Sequence, residues 1–583
     1  MNLFEIPGIC GMHVIFDLGR TEGMLFALIA LFMWAMCALF SPEYLRNGEH
    51  KGRFYLFSII TLIATVGVFA SGDLFTLFIF FEIMSFTSFV WVAHEQTGAA
   101  MRAAYTYVGI SIIGGLVMLM GLFMYYTDYP ASKYVSGGLM AFGFAVKAGV
   151  WPVHIWLPKA HPVAPAPASA LLSGILTKTG IFGLLYVTVR IIGPDAAWGN
   201  VLVSLGMITM LTGALLAMFS MDLKRTLACS SVSQIGIIVI GLGEWALIGE
   251  DEFGDAFGGF LSVTAAELHM VNHSMIKLIL FLVAGTIYMN VHRLDLNDLR
   301  GFGRHKPLLA ACFLMGGLSL CGIPLTLGFT SKNAVHELIP AGTGWLFNLG
   351  SGMTISYVLK LFVAIFVEKN EDDEVQASYD GLKKYWNPAS MLAVVIPSAV
   401  LFVLGSVAMV RMPMGVMVYV EVLIPMAIGA ILYLGVIRTL FMMKLPDGGR
   451  RYVNRWPAWL DLENLLYRPL LLKVLPAACG FVSALISQVM DALVVLLRRT
   501  THRQIATRIN TGSMDDQMAV TAGNIADRII PNKDGTSHVP GFMETEERIA
   551  MTQRFISGSL SFGLIFVSIG LIFILVYTLV TTL

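Results

Sequence analysis

Residues 266–281 read AELHMVNHSMIKLILF and lie inside a long apolar stretch. Glu267 stands at its edge, and His269, His273 and Lys277 follow at i, i+4 and i+8, which stacks all three on one face of a helix. The chemistry such a row supports is proton transfer. Imidazole accepts at one nitrogen and donates at the other near neutral pH, and burial weakens a lysine's hold on its proton until a neighbouring charge decides its state. H-x-x-x-H also suits a zinc pair. No glutamate follows the first histidine as H-E-x-x-H requires, and Lys277 one turn on would repel a cation, so the metal reading is the weaker.

Other charges sit equally deep. Glu82, in LFTLFIFFEIMSF, reads either as a protonated structural hydrogen-bonder or as a functional carboxylate. A charge at the bilayer centre costs about 2.5–3.5 kcal/mol on insertion scales, which favours a functional partner, and Lys147 is the candidate. Lys147, Lys178, Lys277 and Lys332 all fall within apolar spans. Lys332 and Lys360 are near span ends, where a lysine can snorkel to water. Asp222, Lys224, Arg225, Asp298 and Arg300 also lie at span ends and read as solvated topology signals. His154 and His161 bracket WLPKA; passing protons inward and bonding freed carbonyls are both open for them.

The elements that must position these groups are membrane helices. The chain has 583 residues, 56% of them hydrophobic and 13% charged, with mean hydropathy +0.75, far from soluble composition. Apolar runs long enough for about 30 Å of hydrocarbon recur along it, and 14 spans are predicted. Net charge is zero, so nucleic acid is not suggested. The loops 46–53, 221–225, 292–306 and 444–455 hold most of the loop Lys and Arg and fall on one side, which the positive-inside rule makes cytoplasmic. Both termini are then outside, as is the acidic stretch 243–255. The first residues lack the basic segment and cleavage site of a secretory signal. The six cysteines are scattered with no C-x-x-C, and no dinucleotide or P-loop motif is present. No cofactor is expected in this chain.

Two spans are interrupted, 143–158 by Trp151 and Pro152, and 316–332 by Gly322 and Pro324. Proline removes a donor and frees a carbonyl one turn earlier, exposing backbone polar groups at membrane depth. Each broken span is fourth in a five-helix block, and five is odd, so the second block is inverted relative to the first, an architecture in which paired broken helices mark the transport path. The predicted organisation is an N-terminal region with the first transmembrane helix (1–53), a first repeat (54–192), a second repeat (193–368), two further helices with cytoplasmic loops (369–455), an amphipathic lateral helix and cytoplasmic connection (456–554), and a last transmembrane helix (555–583). A span at 475–497 is the alternative to the lateral helix. The fold class is an all-α polytopic membrane protein.

The stretches AVKAGVWPVHIWLPKAHPVAPAPASALLSGILTKTG (145–180), DLKRTLACSSVSQIG (222–236), HMVNHSMIKLILFLVAG (269–285) and GIPLTLGFTSK (322–332) resemble the antiporter-like, proton-pumping membrane subunits shared by respiratory complex I, Mrp cation/proton antiporters and energy-converting hydrogenases. DLENLLYR (461–468) resembles the start of the lateral-helix region of the Mrp and hydrogenase members. The resemblance implies a polar axis along the membrane midplane. By motif position it matches Glu82 and Lys147 to the family's glutamate–lysine pair, Lys178 to the next lysine, His269, His273 and Lys277 to the connecting residues, and Lys332 to the terminal lysine. It implies other membrane subunits and a peripheral redox arm as partners, the cytoplasmic (inner) membrane of a prokaryote as location, and protons as the ion, with sodium the alternative. Against the family pattern, the chain is expected to lack the first two helices. A quinone-binding redox subunit is disfavoured by the absence of cofactor ligands, and a structural scaffold by the number of intramembrane charges.

Overall fold

A backbone inside hydrocarbon has no water to bond, so a crossing segment satisfies its own polar groups as a helix, and among the described residues 12 helices are long and apolar enough to cross. They are seen in a computed structural model that describes residues 3–7, 13–17, 19–127, 132–249, 265–339, 342–411, 415–444, 450–457 and 461–474, with short pieces between 476 and 544. The final span at 555–581, the alternative span at 475–497 apart from a few residues, and most of the 502–550 connection lie outside the described residues.

The first four helices are α1 (Thr21–Tyr44), α2 (Lys51–Ala70), α3 (Leu74–Val92) and α4 (Gly98–Tyr126). A broken span follows, α5 (Lys133–Ala148) and α6 (Leu157–Val163), then α7 (Ala166–Ile192), α8 (Ala196–Phe219), α9 (Leu223–Ile248) and α10 (Ala265–Val291). The second broken span is α11 (Pro307–Cys321) and α12 (Leu327–His336); α13 (Gly344–Val367), α14 (Pro388–Arg411) and α15 (Val416–Leu440) complete the series.

Both interruptions fall where the prolines predict them. α5 stops at Gly149, whose φ of +84° only glycine adopts without strain. Past it, Trp156 Nε1 donates to Val146 O at 2.9 Å and Trp151 N donates to Thr209 Oγ1 of α8 at 3.1 Å. α11 stops at Gly322, φ +75°, and Gly328 N donates to Ser319 Oγ at 3.1 Å across the gap. Side chains thus replace the helical partners that the breaks remove.

The described strands form two antiparallel hairpins, β1 (Leu3–Pro7) with β2 (His13–Asp17), and β3 (Met442–Lys444) with β4 (Arg450–Tyr452). The all-α expectation misses both. β2 is held to the α2–α3 turn, where Gly72 N donates to Ile15 O at 2.7 Å. Three of the basic loops meet. Leu223 N donates to Leu294 O at 2.9 Å, Tyr452 N donates to Asn297 Oδ1 at 2.8 Å, and Arg300 pairs with Glu368 and Glu371, each at 3.0 Å. Their common location agrees with the charge pattern.

The chain divides into two compact units, one within 1–458 and one within 459–576. In the second, helical turns cover Glu463–Tyr467 and Leu470–Val474, and Arg468 Nε pairs with Glu463 Oε1 at 3.0 Å.

α8 and α9 pack backbone to backbone through Gly199, Gly206 and Gly213 on one and Gly236 and Gly243 on the other. Small residues of this kind replace hydrophobic driving force in lipid, because close approach gains dispersion energy. A Cβ at Gly213 would lie 2.3 Å from Ser233 N and 2.9 Å from Cys229 O, backbone atoms that cannot turn aside. Gly213→Ala should therefore destabilise by about 1–3 kcal/mol, although alanine is the better helix former. Gly138→Ala, with nothing within 4 Å of the new methyl, should be neutral or slightly stabilising. Melting temperatures of the two purified variants in detergent decide this, and equal values would remove the argument for the seam.

Candidate functional site

The residues singled out from the sequence lie on α3, α5, α7, α10 and α12, and all but one are deeply buried. Lys147, Lys178, His269, His273, Lys277 and Lys332 are 0–4% exposed, whereas Glu82 is only partly covered. Its carboxylate lies over Gly115 of α4, where a Cβ would stand 2.6 Å from Oε1, and Oε1 has no hydrogen-bond partner among the described residues.

Lys147, in the last turn of α5, does not bond to Glu82 here. It donates to Tyr107 Oη of α4, and Tyr107 Oη lies 2.6 Å from Ser88 Oγ of α3. The expected glutamate–lysine partnership is thus open in this structure, with a phenol in the carboxylate's place.

Lys178 is seated by a local departure from α-helix. Over Leu172–Leu176 the helix widens to i→i+5 hydrogen bonding, a geometry frequent at functional sites. Lys178 Nζ donates to Ser173 O at 2.9 Å and lies 2.6 Å from His273 Nδ1. A lysine donating to Nδ1 leaves the ring proton on Nε2, which has no partner among the described residues.

His269, His273 and Lys277 share the face that their spacing predicts, but they turn to different neighbours. Lys277 Nζ donates to Ser230 Oγ at 2.5 Å and Leu227 O at 2.8 Å, both on α9. His269 Nδ1 lies 2.9 Å from Ser331 Oγ of α12, and Nε2 lies 3.2 Å from Gln234 Oε1 of α9. Both nitrogens of His269 are therefore engaged. Among the described residues no group of three or more His, Cys, Asp or Glu could hold a metal. Lys332 Nζ has no hydrogen-bond partner among the described residues.

Burial overturns several surface readings. Lys332 and Lys360 do not snorkel within this chain: Lys360 is fully buried, and its ammonium donates to Ala217 O, Met218 O and Ser220 O at the end of α8. It caps a helix C-terminus, where a cation is favoured. Lys224 is not a solvated topology signal but 1% exposed, donating to Ala164 O at 2.9 Å beneath the rings of Tyr44 and Tyr288. His161 is fully buried and stacked on Phe281. Neither of its ring nitrogens bonds a described carbonyl, which leaves the carbonyl-bonding reading of this histidine without support.

Tyr107, Ser88, Ser230, Gln234 and Ser331 were not singled out from the sequence. The available signal was polar density in an apolar helix, strongest in CSSVSQ (229–234). Among the described residues, these groups and those read from the sequence form four separate hydrogen-bonded clusters: Ser88–Tyr107–Lys147, Lys178–His273, Lys277–Ser230 and Gln234–His269–Ser331.

Residues 71–356 match the family described as NADH:quinone oxidoreductase/Mrp antiporter, TM. Among similar proteins, hydrogenase-4 component B of Escherichia coli is 33% identical over 324 residues, covering 52% of this chain and 48% of that protein. A Na(+)/H(+) antiporter subunit of Alkalihalophilus pseudofirmus is 27% identical over 394 residues, covering 63% of this chain and 76% of that protein. The chain thus spans about half the length of the hydrogenase component. A chain of the membrane-bound sulfane sulfur reductase, an archaeal respiratory membrane complex, shares the fold with TM-score 0.61 at 21% identity, over 90% of this chain and 91% of that one. Over residues 71–356, just under half of the chain, the protein is thus similar to the transmembrane domain of that family.

Proposed function

We propose that this chain is a proton-translocating, antiporter-like subunit of a larger redox-linked membrane complex. Protons move through half-channels joined by Glu82, Lys147, Lys178, His269, His273, Lys277 and Lys332. The observation that carries the reading is the seating of Lys178 against His273, 2.6 Å apart on facing helices and fully buried. A fixed structural cation would be better matched by carbonyls alone, as Lys360 is. Any driving redox reaction belongs to partner subunits in a peripheral arm. Moving one charge costs about 2.3 kcal/mol per 100 mV, within reach of a modest change in a buried lysine's surroundings.

The architecture proposed with it is two inverted five-helix repeats, 54–192 and 193–368. In support, the fourth helix of each breaks at a left-handed glycine, Gly149 and Gly322, and the third helix of each supplies polar groups to the axis, Tyr107 from α4 and His269, His273 and Lys277 from α10. Fourteen spans, a lateral helix after residue 456, an inner membrane of a prokaryote and both termini outside complete the reading. A Mrp-type sodium/proton antiporter subunit is the second reading, favoured by the similarity to the Alkalihalophilus antiporter protein.

Two experiments test the proposal. In the purified complex in vesicles, Lys147→Arg should cut acidification at least tenfold, nearly as much as Lys147→Ala, because guanidinium keeps its proton at any accessible pH. Full pumping by the arginine variant would leave Lys147 a fixed counter-ion. His273→Ala should impair pumping similarly while the complex assembles, since Lys178 keeps Ser173 O; loss of assembly with normal turnover in the remainder would make the histidine a packing residue. Repeating the wild-type assay with and without sodium separates the two readings. For topology, a reporter fused at Asp515 should report the cytoplasm, and an outside signal would make 475–497 a span.

A further inference from the structure

The axis contains a residue to which no role has been given. Tyr107 is fully buried on α4, its ring edge-on to Trp156 with centroids 4.9 Å apart, and Lys147 Nζ lies 4.7 Å from its ring centroid. The direction of the hydrogen bonds around it can be worked out. Ser88 Oγ donates its one hydrogen to Met84 O at 2.6 Å, so it faces Tyr107 as an acceptor. The phenol hydrogen then points to Ser88 at 2.6 Å, and the phenol oxygen turns its lone pair toward Lys147, which donates to it. Each bond polarises the next in the same sense. The site is built to receive an N–H from an ammonium.

Lys147 therefore has two polar destinations on its neighbours. One is the phenol it occupies. The other is the Glu82 carboxylate, whose Oε1 is buried without a partner among the described residues above Gly115, further along α4. We propose that Tyr107 is the second seat of the Lys147 ammonium, a positioning residue that holds the lysine away from Glu82, with Ser88 fixing the phenol as acceptor. The lysine carries its proton between the seats, and no O–H bond at the phenol has to break. This inference rests on the relay reading of Lys147.

Tyr107→Phe keeps the ring and its packing but removes the acceptor, leaving Glu82 as the lysine's only seat. Losing a hydrogen bond to a charged group should lower pumping about tenfold. Ser88→Ala, which only frees the phenol hydrogen to turn, should lower it about threefold. In a Glu82→Gln background Tyr107→Phe should add no further loss, because no carboxylate remains to trap the lysine. An additive loss there, or normal pumping by Tyr107→Phe in an otherwise unaltered complex, would overturn the proposal. Solid-state NMR gives a readout independent of transport. The complex in lipid, labelled at lysine Nζ and tyrosine Cζ, should show a Lys147–Tyr107 contact that Tyr107→Phe abolishes and Glu82→Gln retains; its absence in the unaltered complex would also overturn the second seat. Failure of the relay reading itself would show elsewhere, as full pumping by Lys147→Arg.

Discussion

Every ammonium placed in hydrocarbon must find an acceptor, and every backbone carbonyl freed there must find a donor. At three places in this chain each requirement answers the other. Lys224 donates to Ala164 O where α6 ends, Lys360 to three carbonyls where α8 ends, and Lys178 to Ser173 O in the widened turn of α7. At these three places the freed carbonyl receives the lysine and the lysine satisfies the carbonyl.

That exchange sorts the lysines. Lys360 and Lys224 bond to carbonyls, which have no proton to give and cannot be rearranged without moving a helix. Lys147 bonds a hydroxyl, and Lys178 and Lys277 reach an imidazole and a hydroxyl besides their carbonyls. Those side chains rotate or change tautomer at small cost, so their lysines have alternatives. Lys332 has no hydrogen-bond partner among the described residues. The other buried lysines thus divide by partner, into those that meet rotatable or tautomeric side chains and those held by carbonyls of the frame alone.

The frame is tight for the same reason. α9 is buried along its whole apolar window, and its Ser230 and Gln234 bond Lys277 and His269. It approaches α8 through glycines, so the polar groups on its other side are placed by backbone contact rather than by flexible side chains. Thr209 of α8 meanwhile accepts from Trp151 N at the first break, joining the proposed second repeat to the broken helix of the first.

Hydropathy and proline placement by themselves determined that the chain is a bundle of membrane helices and where two of them break, because hydrocarbon penalises each alternative by several kcal/mol. The ionisable residues within the spans were legible on the same ground. Their partners were not. A period of 3.6 residues places His269, His273 and Lys277 on one face, but only packing decides that they turn to Gln234 and Ser331, to Lys178, and to Ser230. Lys224 and Lys360 looked solvated because sequence position near a span end does not reveal the aromatic and backbone cover that tertiary structure lays over them. Glu82 and Lys147 were legible as a pair of opposite charges, yet Tyr107 takes the lysine's hydrogen bond. A tyrosine in an apolar helix carries no signal until a second helix brings a cation to its hydroxyl.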